Sequence, residues 1–401
     1  GPDWHLFPRL AAARDMAGLW PLVEEAFAAR AARFGIAEPE AALAQARDIV
    51  VYGAGDFARA VLESWRERGL PVRYLVDSNS GKQGRDWQGY PVAGPNRLAA
   101  DPARPLVVVA AMDTSALGPV LDGLGLPYLF AERDGTVGFL PGHMLARRRA
   151  ACERLFGLLA DEASRHVFLS VVIARLFQDF TFSMKGNLFT DRCTSHPQYF
   201  PVDLPPLRAG ARYVDCGAFD GDSLAGFAAE ALRLGVTDWS ALGVEADAGN
   251  AERARANLAA LGLGHIPVRE AVLGTGREGV GELHLHNCLG GAIEGSGDST
   301  ALDDLLGDLS DGFRPSFIKM DIEGAELPAL AGARRTILAA QPRLAICTYH
   351  TTAQLIDIPL FLADNFHFYD LYLRHHRGGS LWETVCYALP RERYANRGEG
   401  K

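Results

Sequence analysis

Three carboxylates and two glycines lie within eight consecutive residues, Asp215-Cys-Gly-Ala-Phe-Asp-Gly-Asp222. An apolar run precedes this turn and a helical pattern follows it. Like charges repel, so the turn is a poor site for a pyrophosphate. It suits S-adenosylmethionine (SAM), which carries an ammonium, a sulfonium and a carboxylate that can accept N–H groups at a helix N-terminus. We therefore expect SAM as the cofactor.

Glu245 ends the next predicted strand, in the segment Gly243-Val-Glu-Ala-Asp247. A strand-end acid at this position suits the two hydroxyls of an adenosine ribose. The structural alternative is an acid that only stabilises a helix N-terminus. Its pairing with the acidic glycine turn favours the cofactor role.

Asp321, Glu323 and His350 follow two later apolar runs, 317–320 and 344–348. Ligands bind beyond the carboxyl ends of parallel strands, so these side chains are expected near a transferred methyl group. A hydroxyl acceptor needs a base, or a metal that lowers its pKa. His350 is the candidate base, and the three residues together could hold Mg²⁺, although no metal is assigned. The alternatives are a solvated acidic helix start and a structural histidine.

Four nearby features receive mainly structural interpretations. Lys319 is predicted to pair with Asp321, because both side chains point to one face of a strand. Glu326 is predicted to be a solvated acid at a helix start. Tyr199 would cover the cofactor or simply pack in the core. His375-His376 are predicted to lie in a polar surface loop, with the lining of an acceptor pocket as the alternative.

A second glycine turn, Gly53-Ala-Gly-Asp-Phe-Ala58, fits the dinucleotide fingerprint. Asp77 lies about 20 residues further on, where a ribose-binding acid belongs. Gly53, Gly55 and Asp77 are therefore a candidate second nucleotide site. Asp56 argues against it by placing a negative charge in the turn, and the alternative is a tight turn in a cofactor-free sheet.

Apolar runs alternate with helical patterns in two parts of the chain, which predicts parallel sheets covered on both faces. The predicted fold class is α/β, with two doubly wound Rossmann-like domains joined by a helical segment. Strands are expected at 49–52, 72–77, 105–111, 128–130, 211–216, 241–245, 268–273, 317–321 and 344–348. The predicted domains are N-terminal helices at 3–47, a nucleotide-binding-like domain at 48–141, a helical linker at 142–208 and a second α/β domain at 209–401.

Local signals refine this outline. Pro21 and Gly35 interrupt a helical pattern and predict two or three short helices in place of a longer one. Asp161 is the expected N-cap of a helix in the linker. Alternating segments at Asp370–Arg374 and Thr384–Ala388 predict an antiparallel hairpin that closes the second sheet.

Five segments together carry a family resemblance: Gln198–Phe200, Tyr213–Ser223, Val244–Asp247, Ile318–Glu326 and Gln341–His350. Through them, residues from about 195 to 390 resemble the FkbM family of SAM-dependent methyltransferases. The resemblance implies a class I methyltransferase fold and transfer to a hydroxyl oxygen, often of a sugar or polyketide. The predicted cofactor residues are Asp215, Gly217, Ala218, Phe219, Asp220, Ser223, Glu245, Ala246, Asp321 and Tyr199.

Residues 48–98 also resemble the small nucleotide-binding domain that precedes some sugar acyltransferases and some longer FkbM-like proteins. Asn79, Gly84, Gly89, Pro91 and Val92 carry this second likeness. It implies that the first domain recognises a nucleotide-linked or glycosylated acceptor, or serves in assembly, with a homodimer as the candidate.

The chain has 401 residues and a formal charge of 40 − 49 = −9, which argues against nucleic-acid binding, since that needs a clustered basic surface. The longest apolar stretch, Val167–Phe177, is too short to span a membrane and contains Arg175. There is no signal-peptide pattern, and the six cysteines show no metal-ligand spacing. We expect a bacterial, cytoplasmic enzyme of carbohydrate or natural-product biosynthesis.

Three functions compete. The first is a SAM-dependent O-methyltransferase that acts on a sugar, a nucleotide-linked sugar or a natural product. The second is an NAD-dependent oxidoreductase or epimerase that uses Gly53, Gly55 and Asp77, although the chain has no Tyr-x-x-x-Lys pair. The third is a non-catalytic binding or scaffold protein, which the intact acids at Asp215 and Glu245 argue against.

Overall fold

The computed structural model describes residues 6–111, 114, 117–177, 197–276, 283–287, 291–295, 299–309, 312–378 and 380–391. The chain divides into two compact units, of which one comprises residues 1–156 and 168–190 and the other residues 157–167 and 191–401. The predicted linker at 142–208 is thus shared between the units, and the predicted domain boundaries stay predictions. No helix in these described ranges is long and apolar enough to cross a membrane.

The first unit contains a seven-stranded sheet in the order β3-β4-β2-β1-β5-β6-β7. The five inner strands are parallel, and β3 and β7 add antiparallel edges. The strands are β1 (Ile49–Tyr52), β2 (Val72–Val76), β3 (Asp86–Trp87), β4 (Tyr90–Ala93), β5 (Leu106–Val109), β6 (Tyr128–Ala131) and β7 (Val137–Gly138). Helices span Phe7–Ala12, Met16–Phe34, Pro39–Gln45, Asp56–Arg66, Pro95–Ala99, Leu117–Leu124 and His143–Arg147.

Apolar clusters cover both faces of this sheet, as continuous apolar strands require. Val51 and Val108 pack on one side, while Val50 and Val107 pack on the other. The sequence missed β3 and β7, because two residues give no pattern to detect, and it missed β4, because Pro91 interrupts its short apolar run.

The predicted break at Pro21 is wrong, because a single helix runs from Met16 to Phe34 through it. Pro21 is the sixth residue of this helix, so its missing N–H removes only one early backbone hydrogen bond. The break at Gly35 is confirmed. Gly35 has a φ of 65° and ends the helix in the left-handed conformation.

The second unit contains a seven-stranded sheet in the order β10-β9-β8-β13-β14-β16-β15. The five adjacent strands β10, β9, β8, β13 and β14 are parallel to one another. The last two strands, β16 and β15, form the predicted antiparallel hairpin. The strands are β8 (Ala211–Cys216), β9 (Trp239–Glu245), β10 (Val268–Glu270), β13 (Phe317–Met320), β14 (Arg343–Cys347), β15 (Tyr369–His375) and β16 (Thr384–Pro390), with a separate pair β11 (Leu283–Asn287) and β12 (Gly291–Gly295). Helices span Asp222–Arg233, Ala248–Ala260, Leu302–Gly307, Glu326–Ala331, Arg334–Ala340 and Gln354–Asn365.

There are two further helices, Arg149–Leu158 and Glu162–Phe177, and each contains residues of both units. Asp161 caps the second of them as predicted, by accepting the N–H of Ser164 at 2.7 Å. Within the second unit, the buried Arg374 of β15 pairs with Asp161 and with Asp203, each at 2.7 Å. These ion pairs fix the segments before the sheet onto its edge. Helices predicted beyond Phe177 lie outside the described residues.

The predicted α/β fold with two parallel-rich, doubly wound sheets is confirmed. In the second unit the strand order reverses at β8. The next strands, β9 and β10, lie on one side of β8, and β13 and β14 lie on the other side. Such a topological switch point opens a crevice at the carboxyl ends of the strands. The site residues predicted in the second α/β domain, among them Gly217, Glu245 and Asp321, lie at this edge.

Candidate active site

A cavity of about 530 Å³ opens at the carboxyl edge of the second sheet. Four adjacent parallel strands, β9, β8, β13 and β14, end at it. Its lining residues are Gln198, Tyr199, Gly217, Phe219, Asp222, Ser223, Val244, Glu245, Ala246, Asn250, Ala271, Leu273, Lys319, Asp321, Ile322, Glu323, Ala325, Tyr349, Arg377, Trp382 and Glu383. The fold therefore brings residues that are far apart in the chain into one cavity.

The glycine turn after β8 approaches the end of β13 very closely. Gly217 has a φ of 84°, and a Cβ added to it would lie 1.8 Å from the backbone oxygen of Asp321. Only glycine fits this position. The contact holds the ends of the two central strands together and leaves the turn without a side chain where a ligand would approach.

Asp215 at the end of β8 is fully buried and pairs with Lys319 of β13 at 2.8 Å. Ser223 donates a hydrogen bond to its other oxygen at 2.5 Å, and Lys319 also donates to the carbonyl of Gly217 at 2.7 Å. Burial alone would lower the pKa of Lys319, but the carboxylates of Asp215 and Asp321 raise it above its usual range. The predicted ion pair of Lys319 with Asp321 is thus wrong in its partner, because Asp215 on the neighbouring strand lies closer.

Glu245 at the end of β9 lines the cavity as predicted. One carboxylate oxygen accepts the N–H of Phe219 at 2.8 Å, and the other accepts the N–H of Asp247 at 2.9 Å. These bonds fix the carboxylate at the cavity wall and leave lone pairs on both oxygens for a ligand. Of the other predicted cofactor residues, Asp215, Ala218 and Asp220 are not among the lining residues. Asp222, which was not predicted, does line the cavity.

Asp321, directly after β13, is held by three donors. Tyr199 donates to one oxygen at 2.9 Å, Tyr349 donates to the other at 3.0 Å, and Nε2 of His350 lies 3.2 Å from that second oxygen. Burial alone would raise the pKa of Asp321, but the hydrogen bond from His350 and the charge of Lys319 hold it well below its usual range. Asp321 is therefore a fixed, ionised carboxylate.

His350 lies between several carboxylates. Its Nδ1 is 3.0 Å from Glu326, and its Nε2 is 3.6 Å from Glu323. Burial alone would lower the pKa of His350, but Glu326 and Asp321 raise it to about 10. At neutral pH the ring therefore carries both protons and cannot accept another. The role of His350 as a base stays a prediction, and it requires that the ring first loses a proton.

The interpretation of Glu326 as a solvated acid is wrong. Its side chain is fully buried, and it accepts hydrogen bonds from the N–H of Ile322 at 3.0 Å and from Gln354 at 2.8 Å. The helical pattern after Asp321 did not show that Glu326 turns inward. The Glu326 carboxylate stabilises the charged ring of His350.

Ligand atoms of Asp321, Glu326 and His350 lie within 4.8 Å of one another, which is close enough to share a metal ion. This group differs from the predicted one, because Glu326 takes the place of Glu323. With the ring protonated the three residues carry a net charge of −1, and the ring has no lone pair for a metal until it loses a proton. The possible use of Mg²⁺ stays a prediction.

Strained backbone is concentrated around the cavity. Four lining residues other than glycine have a positive φ: 68° at Tyr199, 47° at Phe219, 57° at Glu323 and 72° at Glu383. Each such conformation costs on the order of 1–3 kcal/mol and persists where the surrounding structure imposes it, often at functional sites. The strain supports a functional role for this cavity.

The sequence did not predict that the turn between β15 and β16 lines the cavity with Arg377, Trp382 and Glu383. Trp382 packs edge-on against Tyr349, with the ring centroids 5.6 Å apart. The hairpin itself was predictable, but local alternation does not show where its turn lies. The prediction that His375 and His376 form a surface loop is wrong, because both are buried.

The glycine turn of the first unit is a separate structure. The Asp77 carboxylate accepts the N–H groups of Ala54 at 3.0 Å and Asn79 at 2.8 Å, and it pairs with Lys82 at 3.1 Å. Gly53 has a φ of 129°, and a Cβ added to it would lie 2.3 Å from the Ala110 oxygen. Asp77 therefore stabilises the turn itself, and the predicted nucleotide site stays a prediction.

Comparisons with known proteins bear on the second unit. The sequence profile of a family described as "Methyltransferase FkbM domain" matches residues 215–378. No curated protein matches the chain. The crystal structure of a methyltransferase FkbM from Methylobacillus flagellatus KT is 24% identical and shares the fold with a TM-score of 0.59, covering 92% of this chain and 100% of that chain.

Two other methyltransferase structures match more remotely. The O-methyltransferase TomG from Streptomyces achromogenes, in complex with SAM, is 14% identical, covering 45% of this chain and 72% of that chain with a TM-score of 0.31. A precorrin-6y C5,15-methyltransferase from Geobacter metallireducens GS-15 is 16% identical, covering 45% and 79%, with a TM-score of 0.29. The family profile spans the glycine turn, Glu245, Asp321 and His350, so residues 215–378 are similar to an FkbM methyltransferase domain.

Proposed function

We propose that the second unit binds SAM in this cavity and transfers its methyl group to a hydroxyl oxygen of a sugar, a nucleotide-linked sugar or a natural product. The observation that carries the proposal is the arrangement at the carboxyl edge of the sheet. Glu245, Gly217 and Asp321 follow three adjacent parallel strands and line one cavity. A cofactor held at the first two would therefore have its reactive end near the third.

The size and charge of the cavity suit this cofactor. A volume of about 530 Å³ is in the range of pockets that enclose small-molecule ligands. Among the described residues, the positively charged side chains of Lys319 and Arg377 line the cavity, and Lys319 is already paired with Asp215. The remaining charge is negative and favours a ligand with an ammonium and a sulfonium. The lining acids are Asp222, Glu245, Asp321, Glu323 and Glu383.

The residues of the turn and of β9 would hold the cofactor. Glu245 would accept hydrogen bonds from the ribose hydroxyls, because its two backbone hydrogen bonds leave a lone pair on each carboxylate oxygen. The N-terminus of the helix Asp222–Arg233 and the turn at Gly217 would donate backbone N–H groups to the cofactor's carboxylate. When bound, SAM supplies an electrophilic methyl group on a positively charged sulfur.

The residues after β13 and β14 would act on the acceptor. Asp321 is ionised and fixed by Tyr199, Tyr349 and His350, so it can orient an acceptor hydroxyl without reorganising. His350 would contribute by keeping Asp321 charged and in place. The first unit would recognise the nucleotide part of an acceptor, or assemble two chains.

Calorimetry with SAM and S-adenosylhomocysteine tests the cofactor site in the full chain. Glu245→Gln should weaken SAM binding roughly 10- to 100-fold, because hydrogen bonds to a charged group contribute about 1.5–3 kcal/mol. Glu270→Gln is the matched control, since Glu270 ends the next strand but pairs with Arg255 at 2.9 Å and does not line the cavity. Absence of SAM binding to the wild type, or equal affinity in both variants, would contradict the proposal.

Methyl transfer from labelled SAM tests the acceptor class. The acceptors are free hexoses, hexose 1-phosphates, UDP-hexoses and simple phenols, each with EDTA or with Mg²⁺. We expect transfer to hydroxyl oxygens, identified by mass spectrometry of the products. Transfer to nitrogen or carbon only would refute O-methylation, and loss of activity in EDTA with recovery in Mg²⁺ would establish a metal.

A further inference from the structure

Methylation of a hydroxyl, as proposed above, requires a group that removes the hydroxyl proton. Asp321 is poorly suited, because hydrogen bonds from Tyr199 and Tyr349 stabilise its ionised form and make it a weak base. His350 is poorly suited as well, since its two ring nitrogens lie against Asp321 and Glu326. The proton acceptor must therefore be sought elsewhere on the cavity wall.

Glu383 lines the cavity from the end of the β15–β16 turn. Its backbone oxygen accepts the N–H of His376 at 2.9 Å, which continues the hairpin ladder to this residue. Its φ of 72° is a left-handed conformation that an ordinary residue rarely adopts. The hairpin thus holds Glu383 in a strained backbone conformation with its side chain at the cavity.

One oxygen of the Glu383 carboxylate is oriented and the other is open. Oε2 accepts a hydrogen bond from the amide of Gln198. In the part of the chain that the structure describes, no hydrogen bond reaches Oε1. This contrasts with Asp321, whose two oxygens are both occupied. Of these two acids, Glu383 is the one with a carboxylate oxygen that accepts no hydrogen bond from the described residues, so this oxygen is the more available to a ligand.

Glu383 is also linked to Asp321 through a chain of side chains. The Gln198 amide donates to Glu383 and to the hydroxyl of Tyr199 at 3.1 Å, and that hydroxyl donates to Asp321 at 2.9 Å. The two carboxylates are therefore positioned relative to each other by Gln198 and Tyr199. Both carboxylates line the same cavity, so one acceptor can contact both.

We propose that Oε1 of Glu383 accepts the proton of the acceptor hydroxyl during methyl transfer, and that Gln198 orients this carboxylate. The acceptor oxygen forms a bond to the methyl carbon, and the carbon–sulfur bond breaks with its electron pair going to sulfur. The hydroxyl proton moves to Glu383. The products are a methyl ether, S-adenosylhomocysteine and a protonated Glu383, so charge and atoms balance.

The electrostatic surroundings agree with this role. Burial and the negative charge of Asp321 raise the pKa of Glu383, while the hydrogen bond from Gln198 and the charges of Arg377 and His350 oppose the rise. A carboxylate with a raised pKa is a better proton acceptor near neutral pH than one with an ordinary pKa. Asp321, whose pKa is held low, keeps its charge instead.

Glu383→Gln in the full chain tests the proposal against any acceptor that the labelled-SAM assay finds. We expect kcat to fall at least 100-fold, as general-base catalysis supplies roughly 10²- to 10⁴-fold. SAM affinity and the acceptor KM should change little, and the acidic limb of the wild-type pH–rate profile should disappear. Glu383→Asp should retain part of kcat, and Glu270→Gln should match the wild type. Unchanged kcat in a folded Glu383→Gln would overturn the proposal.

A titration that needs no acceptor provides the second measurement. Carbon NMR of glutamate labelled at the carboxyl carbon, with the Glu383 signal assigned by its loss in Glu383→Gln, gives the ionisation of this residue directly. We expect it to titrate above an ordinary glutamate, and at a still higher pH in Gln198→Ala, because the hydrogen bond from the Gln198 amide stabilises the charged carboxylate. Titration at the ordinary glutamate pH in the wild type would overturn the proposal. Failure of SAM to bind the wild type would instead refute the proposed function, so the two failures are distinguishable.

Discussion

We expect His350 to keep its proton up to about pH 10, whereas His143 stays neutral down to about pH 4. Both rings are mostly buried, and burial by itself favours a neutral ring. In His350 the carboxylates of Glu326 and Asp321 outweigh burial and raise the pKa to about 10. In His143 burial and the positive charge of Arg147 act together and lower the pKa to about 4.

The raised pKa of His350 contributes to folding stability with a defined sign. An unfolded histidine titrates near 6.5, so the contribution is fully present below pH 6.5 and is lost as the pH rises to about 10. The difference between the folded and unfolded pKa values of His350 corresponds to about 5 kcal/mol of unfolding free energy, at about 1.4 kcal/mol per pH unit. Between pH 7 and pH 9 the loss should be about 3 kcal/mol.

Two measurements check this expectation. Nitrogen NMR of the histidine rings, with signals assigned by His350→Gln and His143→Gln, reports each charge state directly. Urea unfolding of the wild type and of His350→Gln at pH 7 and pH 9 gives the stability, and the difference between the two proteins should shrink by about 3 kcal/mol. A neutral His350 at pH 8, or a difference that does not depend on pH, would refute the reasoning.

Two further predictions concern stability and the first unit. Lys319→Met should destabilise the protein by roughly 3–5 kcal/mol, because it leaves Asp215 as a buried charge without its partner. The control Lys82→Met removes a partly exposed pair with Asp77 and should cost about 1 kcal/mol or less in urea unfolding, so equal costs would contradict the argument. Gly55→Val should leave the first unit folded, because an added Cβ meets only Nζ of Lys82 at 3.9 Å, and should abolish any rise in melting temperature that UDP or NAD⁺ causes. A rise of the same size in wild type and variant would place that ligand elsewhere.

The sequence alone indicated most of the strands and the edge at which the site lies. Apolar runs followed by glycine turns or by single acids identified the ends of β8, β9 and β13. These signals are local. Because parallel strands end at one edge of a sheet, residues that end different strands are expected to lie close together. Asp215, Glu245 and Asp321 could therefore be predicted to lie near one another before any tertiary structure was known.

Only the tertiary structure decided which charges pair. Alternation along β13 placed Lys319 and Asp321 on one face, but it could not show that Asp215 on the adjacent strand lies 2.8 Å from Lys319. It also could not show that Glu326 is buried against His350. The charge state of His350 depends on these contacts, so its chemistry could not be inferred from its position after β14.

The turn of the closing hairpin illustrates the same limit. The strands β15 and β16 were predictable from their alternation, but Glu383 meets Gln198 across 185 positions of the chain. Tyr199 likewise reaches Asp321 across 122 positions. Periodicity reports which side of an element a residue faces, whereas burial and hydrogen-bond partners depend on what the folded chain packs against that side. For this reason the sequence indicated most strands of the two sheets and the edge at which its predicted acids lie, and the tertiary structure decided which charges pair and which residues of the closing hairpin line the cavity.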